Sequence, residues 1–389
     1  MQLTEGGKNN TIGAGKKSTI FFPNLDGLRF IAFFAVFFHH TLIVRCFSAD
    51  PSSRVYAFFS NLKEAGALGV NLFFVLSGFL ITYLLISEKN KFGTIHVPQF
   101  YLRRILRIWP LYYLVVIIGF IAFPLLKTMF GEVPAETHSP LYYVFFINNF
   151  QMITKGFADS SLLNVLWSVG VEEQFYLVWP VILLVIPKKY LLPAFGMMIV
   201  GSIYFRYTHT SVARVNYFHT LAVISDMVVG GVAAYFSFYS KRFLTYIKQL
   251  PKSRVVVVYV LMTLVILFRY IIFRAEAVNF SERFILSLFF AFVILEQNFT
   301  EASFYKLSHF PLLTKWGNYT YGLYCLHSLG LLVAHVVSEK IMKLHNPWAI
   351  MGIDYTLGMF LTLVMAYISY TYFERPFLKL KEKFAYITR

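Results

Sequence analysis

The feature that most constrains this chain is a series of about ten apolar runs, each long enough to cross a lipid bilayer as a helix. A spanning helix needs roughly 20 apolar residues. In hydrocarbon every backbone N–H and C=O must be paired internally, so only helices and closed barrels can span. The runs lack the strict alternation of barrel strands. The sequence therefore predicts an all-α, polytopic membrane protein with about ten transmembrane helices.

Composition agrees with a membrane location. Of 389 residues, 58% are hydrophobic and 14% are charged, and the mean hydropathy is +0.61. This leaves too little polar surface to cover a soluble globule. Windows of about 19 residues predict spans at 24–47, 68–86, 109–128, 162–186, 190–206, 219–238, 254–273, 280–296, 318–338 and 351–373. The fifth and eighth are the least clear, being short or interrupted.

The basic residues lie in short clusters between the apolar runs, although the net charge is +16. With the N-terminus in the cytoplasm, 23 of the 35 Lys and Arg residues belong to the inner side, as the positive-inside rule requires. Such clusters do not form the single basic face of a nucleic-acid-binding protein. We therefore expect a multi-pass protein of the cytoplasmic membrane, in contact with membrane lipids, with no nucleic-acid partner. Cytoplasmic tails are predicted at 1–23 and 379–389.

The first predicted span contains an arginine and two histidines. Arg29 and His40 are eleven residues apart, so a helix places them within about 20° of one face and about 16 Å apart along its axis. His39 falls about 80° away from that face. An ionisable group in hydrocarbon is a functional-site hypothesis by default. The alternative is that Arg29 anchors the inner interface and the histidines mark the outer one.

The second polar segment, 69–80, reads Gly-Val-Asn-Leu-Phe-Phe-Val-Leu-Ser-Gly-Phe-Leu. Glycine and serine at helical spacing allow membrane helices to approach closely. Simple packing is therefore the first explanation of this segment, while Asn71 and Ser77 remain candidate site residues.

Three arginines occur within five residues at the predicted inner end of the third span, as Arg103, Arg104 and Arg107. Arginine can bind phosphate bidentately, as a nucleotide-bearing cofactor requires. Positive-inside anchoring and binding of anionic lipids predict the same cluster. The segment alone does not separate these explanations.

Two adjacent carboxyls, Glu172 and Glu173, interrupt the fourth apolar run and cannot both face lipid. Ser168, Glu172 and Tyr176 recur every four residues and so share a helical face. Glu172 is therefore expected to point inward. A structural ion pair with an arginine is the alternative.

Two later features carry a weaker signal. His327 lies within the ninth predicted span and fits a packing residue as well as a site residue. Glu374 and Arg375 close the tenth span, where we expect them at the membrane interface.

Together these segments resemble the membrane acyltransferase 3 family, whose members O-acylate cell-surface polysaccharides and related acceptors. The family's blocks occur in order: an arginine with a histidine eleven positions later, Gly-Val-x-x-Phe-Phe-x-x-Ser-Gly, Arg-Arg-x-x-Arg-Ile-x-Pro, Trp-Ser-x-x-x-Glu-Glu-Gln-Phe-Tyr, and a late Tyr-x-Leu-Tyr-x-x-His. One departure is Asn71, which stands where the second block often has an acidic residue, so no proton-transfer role is expected for it.

The resemblance implies that 24–378 form a transmembrane acyltransferase domain using cytoplasmic acyl-CoA, with acetyl-CoA as the default donor, and no metal. The acceptor is expected to be a hydroxyl of a carbohydrate or glycolipid. Some members carry an attached extracytoplasmic esterase-like domain, so we expect this chain to complete the transfer alone or to pass the acyl group to a separate protein.

Roles follow from the chemistry of acyl transfer. A sugar hydroxyl needs a general base and a group that stabilises the developing oxyanion. His40 is predicted as the base because imidazole titrates near physiological pH, with Glu172 orienting its ring. Arg29 can polarise the thioester carbonyl or hold a CoA phosphate. Arg103, Arg104 and Arg107 are expected to bind the CoA head group.

Two other classes of protein remain open. A transporter or flippase of acyl groups or lipid-linked sugars would also need intramembrane charges, although no inverted repeat or pair of broken spans is visible. A purely structural membrane scaffold would leave the charges inside the spans unexplained.

Overall fold

Ten long helices dominate the part of the chain that the computed structural model describes, namely residues 18–19, 22–41, 64–129, 131–384 and 387–388. They are α1 (Pro23–His40), α2 (Leu68–Phe92), α3 (Val97–Ile117), α4 (Trp167–Val185), α5 (Lys188–Thr208), α6 (Thr220–Tyr239), α7 (Lys252–Ile272), α8 (Glu282–Phe299), α9 (Thr320–Val336) and α10 (Pro347–Ile368). Each overlaps one predicted span, although α3 begins at Val97, twelve residues before the predicted start at 109. The first ends at His40, and 42–47 of that predicted span lie outside the described residues.

Seven helical stretches among the described residues are long and apolar enough to cross a membrane by length and composition. They are Glu64–Phe92, Val97–Met129, Ser161–Val185, Ala213–Tyr239, Lys252–Ile272, Thr320–Ile341 and Trp348–Glu382. The predicted all-α membrane fold is confirmed, with the number of about ten spans remaining approximate.

Shorter elements connect and extend the long helices. The short α-helices are Phe123–Met129, Pro140–Val144, Asn148–Thr154, Ser161–Asn164, Ala213–Phe218, Lys241–Lys248, Glu276–Asn279, Pro311–Gly317 and α11 (Arg375–Glu382). Leu307–His309 is a 3-10 turn, and π-helical turns occupy Ile118–Ala122, Val337–Ile341 and Ser369–Glu374. The two-residue strands Ser18–Thr19 and Ile387–Thr388 pair in parallel.

Glu374, for which we expect a position at the membrane interface, turns its side chain into the protein. Its side chain is buried and accepts a hydrogen bond from Ser369 Oγ at 2.8 Å. The π-helical turn Ser369–Glu374 precedes α11, and the extra residue of a π turn changes the face on which later side chains emerge.

The backbones of α2 and α6 approach each other closely at two glycines. A Cβ on Gly78 would meet the carbonyl of Met227, and a Cβ on Gly230 would meet the carbonyl of Val75. Small residues permit such contact between membrane helices, where van der Waals packing replaces the hydrophobic effect as the driving force. The packing explanation of the Gly-rich second block is therefore correct for Gly78.

The segment between α3 and α4 is folded around a buried histidine. His138 Nδ1 lies 2.9 Å from the Tyr143 hydroxyl, and Nε2 lies 3.0 Å from the Gly156 carbonyl. Burial lowers the pKa of His138 below its ordinary value, which favours the neutral ring. Asp159 of this segment also binds Lys127 at 2.6 Å. The predicted loop is thus an ordered cap on one end of the bundle.

Membrane orientation gives the first testable prediction. Thr94 and Val133 are both exposed and lie at opposite ends of the helix Val97–Met129. In a Cys46→Ser background, we expect Thr94→Cys to resist, and Val133→Cys to accept, an impermeant thiol reagent added to intact cells, because of the distribution of Lys and Arg. External labelling of Thr94→Cys with protection of Val133→Cys would reverse the predicted orientation.

Candidate active site in a cavity across the bundle

A cavity of about 470 Å³ runs along α2 between the ends of the bundle. Its lining on α2 extends from Val70 to Glu88, which is about 27 Å of helix rise and close to the thickness of the hydrocarbon core. Its polar lining residues are Arg29, Ser77, Glu88, Arg103, Arg104, Arg107, Ser168, Glu172, Tyr176, Thr320, Tyr321, Tyr324, Lys381 and Glu382. Most sequence-predicted site residues therefore meet in one place.

Glu172 is bound within this cavity by two hydroxyl groups. Ser77 Oγ donates to Glu172 Oε1 at 2.6 Å, and the Tyr176 hydroxyl lies 3.1 Å from Glu172 Oε2. The same Tyr176 hydroxyl lies 3.1 Å from Ser77 Oγ. Ser77 and Glu172 are only partly buried, and both line the cavity. They form a serine–carboxylate pair that a bound molecule can reach.

Glu173 points elsewhere, as expected for the neighbour of an inward-facing residue. Its Oε2 accepts a hydrogen bond from Trp109 Nε1 at 3.0 Å. Helical geometry separates adjacent side chains by about 100°, so only one of the two carboxyls can face the cavity.

Arg104 and Arg107 line the cavity, and the nearest carboxylates, Glu172 and Glu173 for Arg104 and Glu374 for Arg107, lie beyond hydrogen-bond distance. Neither makes a hydrogen bond or ion pair with any residue that the structure describes. The Arg104 guanidinium lies over the rings of Phe100 and Tyr176 at 5.3 and 5.6 Å, and its Nε is buried and unpartnered. An unpaired charge withdrawn from water is costly. The arrangement therefore suits an anionic ligand.

Arg103 differs from its two neighbours because it is already engaged. Its Nη2 lies 3.3 Å from Glu88 Oε2, and its Nη1 donates to the Phe384 carbonyl at 2.9 Å. Glu88 also accepts a hydrogen bond from the His96 backbone at 2.8 Å. Lys381 and Glu382 of α11 line the same end of the cavity. The predicted C-terminal tail at 379–389 thus begins as a helix that packs on α3.

Arg29 reaches the cavity from α1 and is paired to Asp26 at 2.9 Å, one turn earlier on the same helix. The pair leaves the guanidinium in the cavity with part of its charge compensated.

His40 lies against His327 of α9 rather than against a carboxylate. His327 Nε2 is 3.0 Å from His40 Nδ1, while His327 Nδ1 is 2.5 Å from the Tyr324 carbonyl. His327 is fully buried, whereas His40 is exposed at the end of α1. The Cβ of His39 lies beside Gly66, just before α2, and the His39 ring packs edge-on against the His40 ring, with 5.2 Å between the ring centroids. Of the two histidines, His40 is the one that lies within hydrogen-bond distance of His327 Nε2.

The predicted contact between Glu172 and the His40 ring is wrong. Glu172 binds Ser77 and Tyr176, and the described partner of His40 is His327. Asn71 is buried on α2 but does not line the cavity. Helical periodicity identifies which residues share a face, but it does not specify which helices those faces meet.

One buried ion pair was not predicted from the sequence. Arg283 Nη2 of α8 lies 2.6 Å from Asp226 Oδ2 of α6, and Ser287 Oγ donates to Asp226 Oδ1 at 2.8 Å. The Arg283 guanidinium lies 5.6 Å from the Phe74 ring, and Phe74 lines the cavity. A charge within a predicted span was the available signal. Within the described part of the chain, no cluster of three His, Cys, Asp or Glu side chains is arranged to hold a metal.

Comparison with known proteins identifies a family whose model matches most of the chain. A family model described as an acyltransferase domain matches residues 22–371. No solved structure matches the chain.

Several bacterial proteins are similar in sequence. A Staphylococcus aureus (strain COL) protein named "Putative O-acetyltransferase" is 28% identical over 393 residues, covering 95% of this chain and 60% of that protein. The Listeria monocytogenes "Peptidoglycan O-acetyltransferase OatA" is 33% identical over 171 residues, or 43% of this chain and 25% of that protein. A Bacillus subtilis protein named "Putative peptidoglycan O-acetyltransferase YrhL" is 31% identical over 171 residues, covering 42% of this chain and 24% of that protein. The chain thus spans about 60% of the length of the staphylococcal relative.

Proposed function

Because this chain belongs to the membrane acyltransferase 3 family, whose model matches residues 22–371, we propose that it is a membrane O-acyltransferase. The donor is cytoplasmic acyl-CoA, with acetyl-CoA as the simplest case. The acceptor is a hydroxyl of a carbohydrate or lipid-linked sugar on the other side of the membrane. The names of the Listeria and Bacillus relatives, which refer to peptidoglycan, support a carbohydrate acceptor.

The observation that carries this proposal is the pair of arginines without a direct carboxylate partner among the described residues, in a cavity as long as the bilayer is thick. Arg104 and Arg107 offer planar donors suited to phosphate oxygens, and the aromatic rings beside Arg104 hold its guanidinium in place. Arg103 can exchange Glu88 for a phosphate, since both are oxygen anions. The phosphates of CoA then lie at the Arg103 end, and the acyl arm extends along α2.

Arg29, further along the cavity, is suited to act on the thioester of the acyl-CoA donor. An acyl transfer develops negative charge on the thioester oxygen, and preorganised donors stabilise it most effectively where water is excluded. Arg29 is the candidate for that role because its charge is fixed by Asp26 and faces the cavity. Its single carboxylate partner leaves other guanidinium N–H groups for a ligand.

We assign activation of the acceptor hydroxyl to His40 and His327. His40, exposed at its end of the bundle, is the general base for the sugar hydroxyl, and His327 replaces Glu172 as the group that orients its ring. Because His327 Nδ1 is beside the Tyr324 carbonyl, that nitrogen carries the proton. His327 Nε2 is then the acceptor for an N–H of His40.

Donor binding is the experimental test of this assignment. We expect Arg107→Ala and Arg104→Ala each to weaken the affinity of purified protein for acetyl-CoA by about tenfold to a hundredfold, since hydrogen bonds to charged groups contribute about 1.5–3 kcal/mol. Lys replacements should restore only part of the affinity, because an ammonium lacks the bidentate fork. Isothermal titration of detergent-solubilised protein measures the change.

Arg254→Ala is the matched control, because Arg254 is exposed at the start of α7 and does not line the cavity. Its affinity for acetyl-CoA should equal that of the parent. Unchanged affinity in both cavity variants would identify the arginine cluster as a membrane anchor.

The alternative function, a transporter, predicts that the parent binds or moves its substrate without releasing CoA from the thioester. A failure to consume acetyl-CoA in the presence of acceptor-bearing membranes would favour that alternative.

A further inference from the structure

One lysine of α11 lies on the face of that helix that packs against the protein. The partly buried side chains of α11 and of the turn after it are Phe377, Leu378, Lys381 and Phe384, which follow the spacing of one helical face. The lysines on either side, Lys379 and Lys383, are exposed. Withdrawing an ammonium from water costs free energy, so packing alone does not explain why Lys381 stands among apolar side chains.

Lys381 lines the cavity at the end where Arg103 lies. Arg103 Nη1 donates to the Phe384 carbonyl at 2.9 Å, and this bond joins α3 to the chain just beyond Lys381. Along its length α11 also packs on α3. Two cations from different helices therefore meet at one end of the cavity, and one of them comes from the last helix of the chain.

The cations of the cavity follow an order along α3. Arg103 comes four residues before Arg107, which places it about 6 Å nearer to the start of the helix. Lys381 lines the cavity beside Arg103, and Arg104 lies one turn from Arg107 on the same helix. The cavity thus offers two cationic groups in series. Arg104 and Arg107 form the deeper group, and Arg103 and Lys381 form the group nearer the end.

Coenzyme A carries its anionic groups in a matching order. Beyond the thioester come the pantetheine arm, a diphosphate, and a ribose that bears a 3′-phosphate. Together the phosphates carry about four negative charges at neutral pH, of which the 3′-phosphate, a monoester, contributes about 1.5–2. Two arginines balance only half of that charge. A donor whose diphosphate lies at Arg104 and Arg107 therefore brings its 3′-phosphate toward Arg103 and Lys381.

From this arrangement, and resting on the function proposed above, we propose that Lys381 and Arg103 bind the ribose 3′-phosphate of the acyl-CoA donor. The C-terminal helix α11 is then part of the donor site. The enzyme selects acyl-CoA over acyl thioesters that lack this phosphate. Arg103 contributes its planar fork after exchanging Glu88 for the phosphate, and Lys381 contributes a compact positive charge.

Two carboxylates line the same end of the cavity. Glu88 lies 3.3 Å from Arg103 and also accepts a hydrogen bond from the His96 backbone at 2.8 Å, so it keeps a partner when Arg103 turns to a phosphate. Glu382 is exposed, and water and salt screen the charge of an exposed carboxylate. Neither group therefore prevents a phosphate from binding beside Lys381.

The test compares acetyl-CoA with acetyl-3′-dephospho-CoA, which lacks only the 3′-phosphate, by isothermal titration of the purified full chain. We expect the parent to bind the dephospho ligand about tenfold to a hundredfold more weakly, because charged hydrogen bonds are lost. Lys381→Met, which removes the charge and keeps an apolar stem, should weaken acetyl-CoA binding by about tenfold and leave the affinity for the dephospho ligand unchanged. Arg107→Ala should weaken both ligands by the same factor, because they share the diphosphate.

Lys379→Met is the matched control, because Lys379 is exposed on another face of α11 and does not line the cavity. Both of its affinities should equal those of the parent, and Lys381→Arg, which keeps a cation, should retain the preference for acetyl-CoA. Equal affinity of the parent for the two ligands would overturn the inference. So would a Lys381→Met variant whose two affinities are unchanged or fall by the same factor, and each of these results leaves the proposed function intact. A parent that binds neither ligand contradicts the proposed function itself, and this inference with it.

Discussion

Replacing His40 with alanine is expected to reduce acyl transfer by about 10² to 10⁴, the usual contribution of a general base, while expression and acetyl-CoA binding stay near those of the parent. The reason is geometric, because His40 is exposed at the end of α1, beside His327, and does not line the cavity. Ester-linked acetate on the surface carbohydrate of cells expressing each variant, normalised to folded protein, measures the loss.

His39→Ala is the matched control, since His327 Nε2 is paired with His40 rather than with His39, and its effect should be much milder. His327→Ala should also lower transfer, and the double variant His40→Ala with His327→Ala should lose much less than the product of the two single losses, because residues acting as a unit are not additive. Parent-level transfer in His40→Ala would exclude His40 as the base and leave His327 as the next candidate.

Breaking the buried pair of Asp226 and Arg283 is expected to cost about 3–5 kcal/mol of stability, because removing one partner leaves an uncompensated charge. Asp226 is fully buried and receives hydrogen bonds from Arg283 at 2.7 Å and Ser287 at 2.8 Å. We therefore expect Arg283→Met to lower markedly the temperature at which detergent-solubilised protein loses its monodisperse peak.

The double variant Asp226→Leu with Arg283→Met should recover much of that loss, since replacing both charges by apolar groups is often neutral. Arg254→Met serves as the control because that arginine is exposed. A single Arg283→Met variant as stable as the parent would show that the pair contributes little to folding.

Properties that depend on one helix could be predicted from the sequence. The apolar runs located the long helices, except that α3 begins twelve residues before its apolar run because its first three turns carry the arginines. The four-residue spacing of Ser168, Glu172 and Tyr176 predicted their shared face, which lines the cavity. Both rest on local geometry, in which 3.6 residues complete a turn.

Contacts between helices could not be predicted in the same way. Nothing in the spacing of one helix specifies that His40 meets His327, 287 positions away, or that Asp226 finds Arg283 on another helix. Such pairs depend on how the helices cross and rotate. The assignment of Glu172 to His40 failed for this reason, as it joined two correctly oriented residues that point at different neighbours.

Glu374 shows a different limit. The apolar run indicates where its helix ends, but it does not show that the side chain of Glu374 turns into the protein after a π-helical turn. A π turn changes the local periodicity by one residue, and a hydrophobic pattern read at 3.6 residues per turn does not detect it.

The glycine contacts of α2 and α6 have a mechanical consequence. Gly78 meets the Met227 backbone, and Gly230 meets the Val75 backbone. Neither helix can therefore slide along or rotate against the other without a clash between their backbones. Close-packed interfaces of this kind move as rigid bodies. Ser77, adjacent to Gly78, therefore lies on the side of the cavity that the packed helices α2 and α6 hold rigid. We therefore expect any widening of the cavity to involve the helices that face α2, among them α3 and the α11 helix packed on it.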